Sequence, residues 1–147
     1  MKILIADDEL SSLKVVERMV SRWGYDVALA HDGLEAWKML ERDHTFHIAM
    51  LDWMMPGLSG LEICRRLRMR TEYPYVAVLV VTARAEPEDI EHGYAAGADD
   101  YLIKPVNAIQ MKQRLTVAER MVRMERELRN SNETLSRLVS SLGPSQS

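Results

Sequence analysis

The chain has 147 residues, enough for one domain with its own core, and its 47% hydrophobic and 28% charged content is that of an ordinary globular protein. A formal net charge of −3, with no basic patch and no run of like charges, excludes an electrostatic footprint for nucleic acid or a membrane surface. The lone cysteine, Cys64, excludes an internal disulfide and fits a reducing cytoplasm. The apolar stretch ahead of Asp7 is too short for a signal peptide, and nothing in the chain is long enough to span a bilayer.

Short apolar runs alternate with segments of helical period. Lys2–Ala6 (KILIA) reads as a buried strand, and Ser11–Trp23 as a helix with Leu13, Val16, Met19, Val20 and Trp23 on one stripe, closed by Gly24. Tyr25–Ala30 is a second strand and Gly33–Arg42 a second helix. His47–Leu51 is a third strand, and Ser59 with Glu62 makes a capping-box pattern that opens a third helix, with Ile63, Cys64 and Leu67 inward. Tyr75–Val81 (YVAVLVV) is continuously hydrophobic and β-branched, the pattern of a central parallel strand. Pro87 suits a first helical turn, with that helix running to about Gly97. Asp100–Ile103 is a fifth strand, and a last helix begins near Val106.

Five β-α units in about 120 residues predict an α/β fold. The expected architecture is a five-stranded parallel sheet in the flavodoxin-like order 2-1-3-4-5, with helices on both faces. The tail reads differently. Val117, Met121, Met124, Leu128, Leu135, Leu138 and Leu142 are spaced 4, 3, 4, 7, 3 and 4, and Ser131 fills the vacant seam position. That is a heptad seam, so the last helix is expected to leave the domain and pair with a second copy. The expected division is a domain over 1–116, a coiled-coil extension or linker over 117–142 and a disordered tail over 143–147.

The fold order places polar residues together. Asp7 and Asp8 follow the first strand, Asp52 the third, Thr82 the fourth and Lys104 the fifth, all at the carboxyl edge where such sheets bind ligands. Three neighbouring carboxylates repel one another unless a hard cation joins them, and Mg²⁺ needs few direct carboxylates beside water and phosphate. A lysine ammonium suits a phosphoryl oxygen, a threonine hydroxyl can donate to another, and Asp52 is placed as a nucleophile toward phosphorus.

The stretches ADDE, DWMMPGLSG, VVTA and DDYLIKP, in that order on those elements, resemble the receiver domain of two-component response regulators over residues 1 to about 120. The resemblance implies that Asp52 accepts a phosphoryl group from a phosphohistidine on a sensor histidine kinase or phosphotransfer protein. It implies Mg²⁺ (or Mn²⁺) held by Asp8, Asp52 and the Met54 backbone carbonyl, with Asp7 acting through water. Lys104, Thr82 and the Ala83 amide would bind phosphoryl oxygens, and Thr82 with Tyr101 would form the switch pair. Lys104–Pro105 matches a peptide usually cis in that family, and Met54 and Arg84 match positions that tune hydrolysis.

A domain of this kind is a self-phosphorylating and self-dephosphorylating switch, cytoplasmic and without direct contact to nucleic acid or membrane. A competing reading is a phosphatase with an Asp nucleophile on a similar sheet, but those enzymes space their two aspartates differently after the first strand. The helical tail also resembles linkers that join receivers to an effector such as a cyclic-di-nucleotide synthase. The four histidines lack metal-ligand spacing and read as surface or core residues.

Overall fold

A computed structural model describes residues 1–143; part of the tail expected to be disordered, 144–147, lies outside the described residues. The elements in chain order are β1 (Lys2–Ala6), α1 (Leu10–Arg22), β2 (Asp26–Ala30), α2 (Gly33–Arg42), β3 (Ile48–Asp52), α3 (Gly60–Met69), β4 (Ala77–Thr82), α4 (Pro87–Ala95), β5 (Asp100–Ile103) and α5 (Ala108–Leu142). All strand pairs are parallel, in the order β2-β1-β3-β4-β5.

The two-residue period of a strand sorts the core into two layers. Ile48 and Met50 of β3, with Leu79 of β4, face α1 and α5, where they meet Leu13, Val20, Met111 and Leu115. Ala49, Leu51 and Val80 face the other way, toward Ala36, Leu40, Ile63, Cys64 and Leu67 of α2 and α3. Both faces of β3 and β4 are therefore buried, which is why their sequences are apolar at every position before the closing Asp52 and Thr82.

Element ends differ from the sequence expectation by a residue or two, each for a local reason. β3 and β4 extend to Asp52 and Thr82 because the ladder continues through Asp52 opposite Val81 and Thr82 opposite Ile103. α1 starts at Leu10, one residue early, with Glu9 at its N-cap and no side-chain cap to mark it. α5 starts at Ala108 because Asn107 caps it, accepting from the Gln110 amide at 3.0 Å. Ser59 accepts from the Glu62 amide at 3.2 Å, as its position in the capping pattern anticipates.

α5 is a single helix of 35 residues. Met111, Leu115, Ala118 and Val122 bury one stripe of it against the sheet. The same stripe then turns polar. Arg126 donates to the carbonyls of Phe46 (3.2 Å) and Tyr75 (3.0 Å), and Arg129 donates to the carbonyl of Tyr73. These carbonyls lie just ahead of β3 and β4, so the helix is fastened to the amino edge of the sheet after its apolar contacts end. The seam residues Val117, Met124, Leu128, Leu135, Leu138 and Leu142 are exposed.

Cys64 has no exposed surface, and burial pushes its thiol up to about 11. Because the thiolate is the reactive form, the native chain is expected to resist Ellman's reagent at pH 8. One thiol should titrate after denaturation. Rapid reaction of the folded chain would contradict the packing of α3 described above.

Candidate functional site

β1, β3, β4 and β5 end on one edge, and each delivers a polar side chain there. Asp7 directly follows β1, and its Oδ1 accepts from the Glu9 amide at 2.9 Å, which turns the chain into α1. Asp52, the last residue of β3, accepts from the Met54 amide at 3.3 Å. Lys104, directly after β5, donates to Asp7 Oδ2 and to Asp52 Oδ2, both at 2.9 Å. Asp8 completes the group: one carboxylate oxygen from each of Asp7, Asp8 and Asp52 lies within 4.8 Å of the others. Asp7 and Asp52 are buried and Asp8 is exposed, so the group opens to solvent on one side.

Burial raises the Asp52 carboxyl above the usual range, an effect only partly offset by Lys104 and reinforced by Asp7. Burial works against the Lys104 ammonium too, but its hydrogen bonds to Asp7 and Asp52 prevail and hold it above its ordinary value. The site is thus a strained anionic cup with one fixed cation. Its donors are carboxylates, hard oxygen ligands of the kind that suit Mg²⁺ or Mn²⁺.

The edge can be this tight because Gly60 follows. A Cβ there would sit 2.3 Å from the Asp52 carbonyl oxygen, so only glycine lets α3 start against the end of β3. Met54 lies two residues beyond Asp52 and is exposed. Thr82 is buried, its hydroxyl accepting from the Arg84 amide at 3.3 Å, and Ala83 beside it is exposed. The Lys104–Pro105 peptide is cis.

Tyr101 points inward from β5 and is 6% exposed. Its hydroxyl donates to the Arg84 carbonyl at 3.0 Å, and burial pushes the phenol up to about 12. Gly93 makes room for the ring, since a Cβ there would fall 2.8 Å from it. Trp53 meets Tyr101 edge-on, with centroids 6.4 Å apart. Arg84 does not reach over the carboxylates: its guanidinium stacks on Trp53 at 4.8 Å and pairs with Asp89 at 3.5 Å. Sequence reasoning gave Trp53 no part in this cluster, although its place next to Asp52 was a signal.

Sequence reasoning also passed over a second carboxylate centre. Asp99 accepts from Arg68 at 2.7 Å, from the Tyr75 hydroxyl at 2.5 Å and from the Val78 amide at 2.8 Å. It lies at the entry to β5, away from the metal-type group, and ties α3 to the start of β4. The histidines are dispersed; His47, for instance, accepts from the Lys2 amide at 3.0 Å.

A doubly wound parallel sheet with three aspartates and a lysine at its switch-point edge places this chain among single-domain α/β folds with an acidic, oxygen-rich ligand site. The chain belongs to the response regulator receiver domain family, whose model matches residues 3–116. Among curated proteins it is 40% identical to the response regulator RppA of Synechocystis over 121 residues, which is 82% of this chain and 51% of that protein. The chain therefore spans about half the length of such relatives.

Among solved structures it resembles the chemotaxis response regulator CheY4 of Vibrio cholerae, with a TM-score of 0.73 and 31% identity over 80% of this chain and 97% of that one. The fold also matches the receiver domain of Ssk1 from Saccharomyces cerevisiae, crystallised with the histidine phosphotransfer protein Ypd1. That match has a TM-score of 0.71 and 24% identity, and covers 79% of this chain and 86% of that one. The chain is thus a receiver domain of two-component signalling. Among the described residues no helix is long and apolar enough to cross a membrane.

Proposed function

We propose that Asp52 is the phosphoacceptor and takes its phosphoryl group from a phosphohistidine on a sensor kinase or phosphotransfer protein. The observation that carries this reading is the Lys104 ammonium shared at 2.9 Å by Asp7 and Asp52, with Asp8 completing the carboxylate group. An Asp52 oxygen attacks phosphorus in line, the P–N bond breaks, and its electron pair stays on the ring nitrogen; the donor imidazole carries a proton on its other ring nitrogen and so is released neutral. Lys104 then moves its contact from the Asp52 carboxylate to a phosphoryl oxygen, and the Thr82 hydroxyl and Ala83 amide bind others.

Asp8, Asp52 and the Met54 carbonyl would hold Mg²⁺ or Mn²⁺, with Asp7 acting through water; the cation supplies neutralisation of the phosphoryl oxygens. The domain is a switch that also loses its own phosphoryl group by hydrolysis, and not a turnover enzyme. Thr82 moving toward the phosphoryl group would change its loop and thereby the packing of Tyr101. A groove between α1 and the β5–α5 turn, lined by Ser12, Val15, Lys104, Pro105 and Val106, borders the site and suits a kinase or phosphotransfer partner. The output runs through a homodimer formed by the seam of α5.

Acetyl phosphate with Mg²⁺ is expected to add one phosphoryl group, read by intact mass, and EDTA to prevent it. No addition with either Mg²⁺ or Mn²⁺, or addition indifferent to EDTA, would reject the reading. Sustained turnover of p-nitrophenyl phosphate would instead favour the phosphatase.

A further inference from the structure

α5 carries two stripes. Met111, Leu115, Ala118, Val122, Arg126 and Arg129 face the domain, by burial or by hydrogen bonds to its carbonyls. The seam from Val117 to Leu142, exposed except at half-buried Met121, lies roughly 150° around the helix from them at 3.6 residues per turn. In heptad terms Met121, Leu128, Leu135 and Leu142 are a positions, and Val117, Met124, Ser131 and Leu138 are d positions. The domain-facing residues then all fall at b, e or f. Beyond Ala118, an e position beside the start of the seam, the domain-facing residues lie at b or f, so a partner helix on the seam and the domain on the outer face do not compete for surface.

Resting on the proposal that the seam pairs two copies, we infer that the pair is parallel and in register. The flanking charges decide the direction. In a parallel pair, g of one heptad meets e of the next on the other helix. Arg120 at g then meets Glu125 of the second copy at e, twice by symmetry. Neither residue is in an ion pair within the chain among the described residues.

The antiparallel alternative with full overlap sets Val117 against Leu142, Met121 against Leu138 and Met124 against Leu135. It is equally apolar, but it opposes Arg120 to Ser141, Glu125 to Asn132 and Glu127 to Thr134, so no charge finds its opposite. A parallel pair therefore places both receivers at the same end of the rod, each fastened to its own helix by Arg126 and Arg129.

The test is cysteine cross-linking of the full chain carrying Leu138→Cys, the native Cys64 being buried. In the parallel pair the two introduced thiols share one d layer and form a disulfide on mild oxidation. In the antiparallel pair they lie about 26 Å apart, 17 residues at 1.5 Å each, and none forms. Sedimentation of the native chain, with and without Mg²⁺ and beryllofluoride, reports the dimer independently.

A dimer that oxidises to a covalent pair is expected. A dimer that stays uncross-linked overturns the orientation and leaves the dimer reading intact, whereas a monomer in both conditions overturns both. As a second arm, Arg120→Glu should weaken self-association several-fold, and adding Glu125→Arg should restore it. Failure of that restoration also counts against the parallel register.

Discussion

Asp52→Asn is expected to bring labelling by acetyl phosphate and Mg²⁺ down to background. The substitution preserves shape, and the amide oxygen can still accept from Lys104 where the carboxylate does now. What disappears is the anionic oxygen proposed to form the bond to phosphorus, together with one of the charges proposed to hold a divalent cation. Because phosphoryl transfer depends on positioning and charge, nothing else at the edge replaces it: Asp7 is engaged by Lys104 and the Glu9 amide, and Asp8 is exposed.

The same variant should be more stable than its parent in metal-free buffer at pH 7. Burial raises the Asp52 carboxyl in the fold, so its ionised form costs stability above that value. The cost vanishes as pH falls through the raised value, and the two denaturation midpoints should converge on acidification. Undiminished labelling of the variant, shown by intact mass, would move the acceptor elsewhere.

Asp99→Ala is expected to cost about 3 kcal/mol, the lower end of the scale for removing one partner of a buried charge pair, because this pair is only partly buried. Three donors lose their acceptor at once: the Arg68 guanidinium, the Tyr75 hydroxyl and the Val78 amide. Arg68 keeps its bonds to the Gly97 and Val76 carbonyls, so α3 stays attached, but Tyr75 and Val78 are left short. At an urea dependence of about 1–3 kcal/mol per molar, the midpoint should fall by about 1–3 M. Acetyl phosphate labelling of the folded fraction should persist, because Asp99 stands away from Asp52, the proposed acceptor. A midpoint unchanged within error would show that this carboxylate is dispensable.

The two carboxylate centres show what was legible in the sequence. Asp7, Asp8, Asp52, Thr82 and Lys104 could be placed together because each follows an apolar run, and a parallel sheet aligns the ends of such runs. Asp99 also sits beside a run, but at its start, and its partners Arg68 and Tyr75 carry no period that points at it. The face assignments of β3 and β4 were equally hidden, since a strand buried on both sides has no alternation to read. In α5 the continuation of the helix past the domain was legible from its apolar spacing, while Arg126 and Arg129 look like ordinary charged helix residues until the carbonyls of Phe46, Tyr73 and Tyr75 are seen beneath them. Trp53 and Tyr101 meet only because Gly93 leaves a hollow, and an absent side chain leaves no pattern.

The arginine fastening of α5 also makes a lever. Beyond Arg129 thirteen residues continue to Leu142, an arm of about 20 Å at 1.5 Å per residue. A tilt of roughly 10° at the fulcrum would sweep the tip by about 3 Å on that length. A movement too small to disturb the sheet would thus reach the far end magnified.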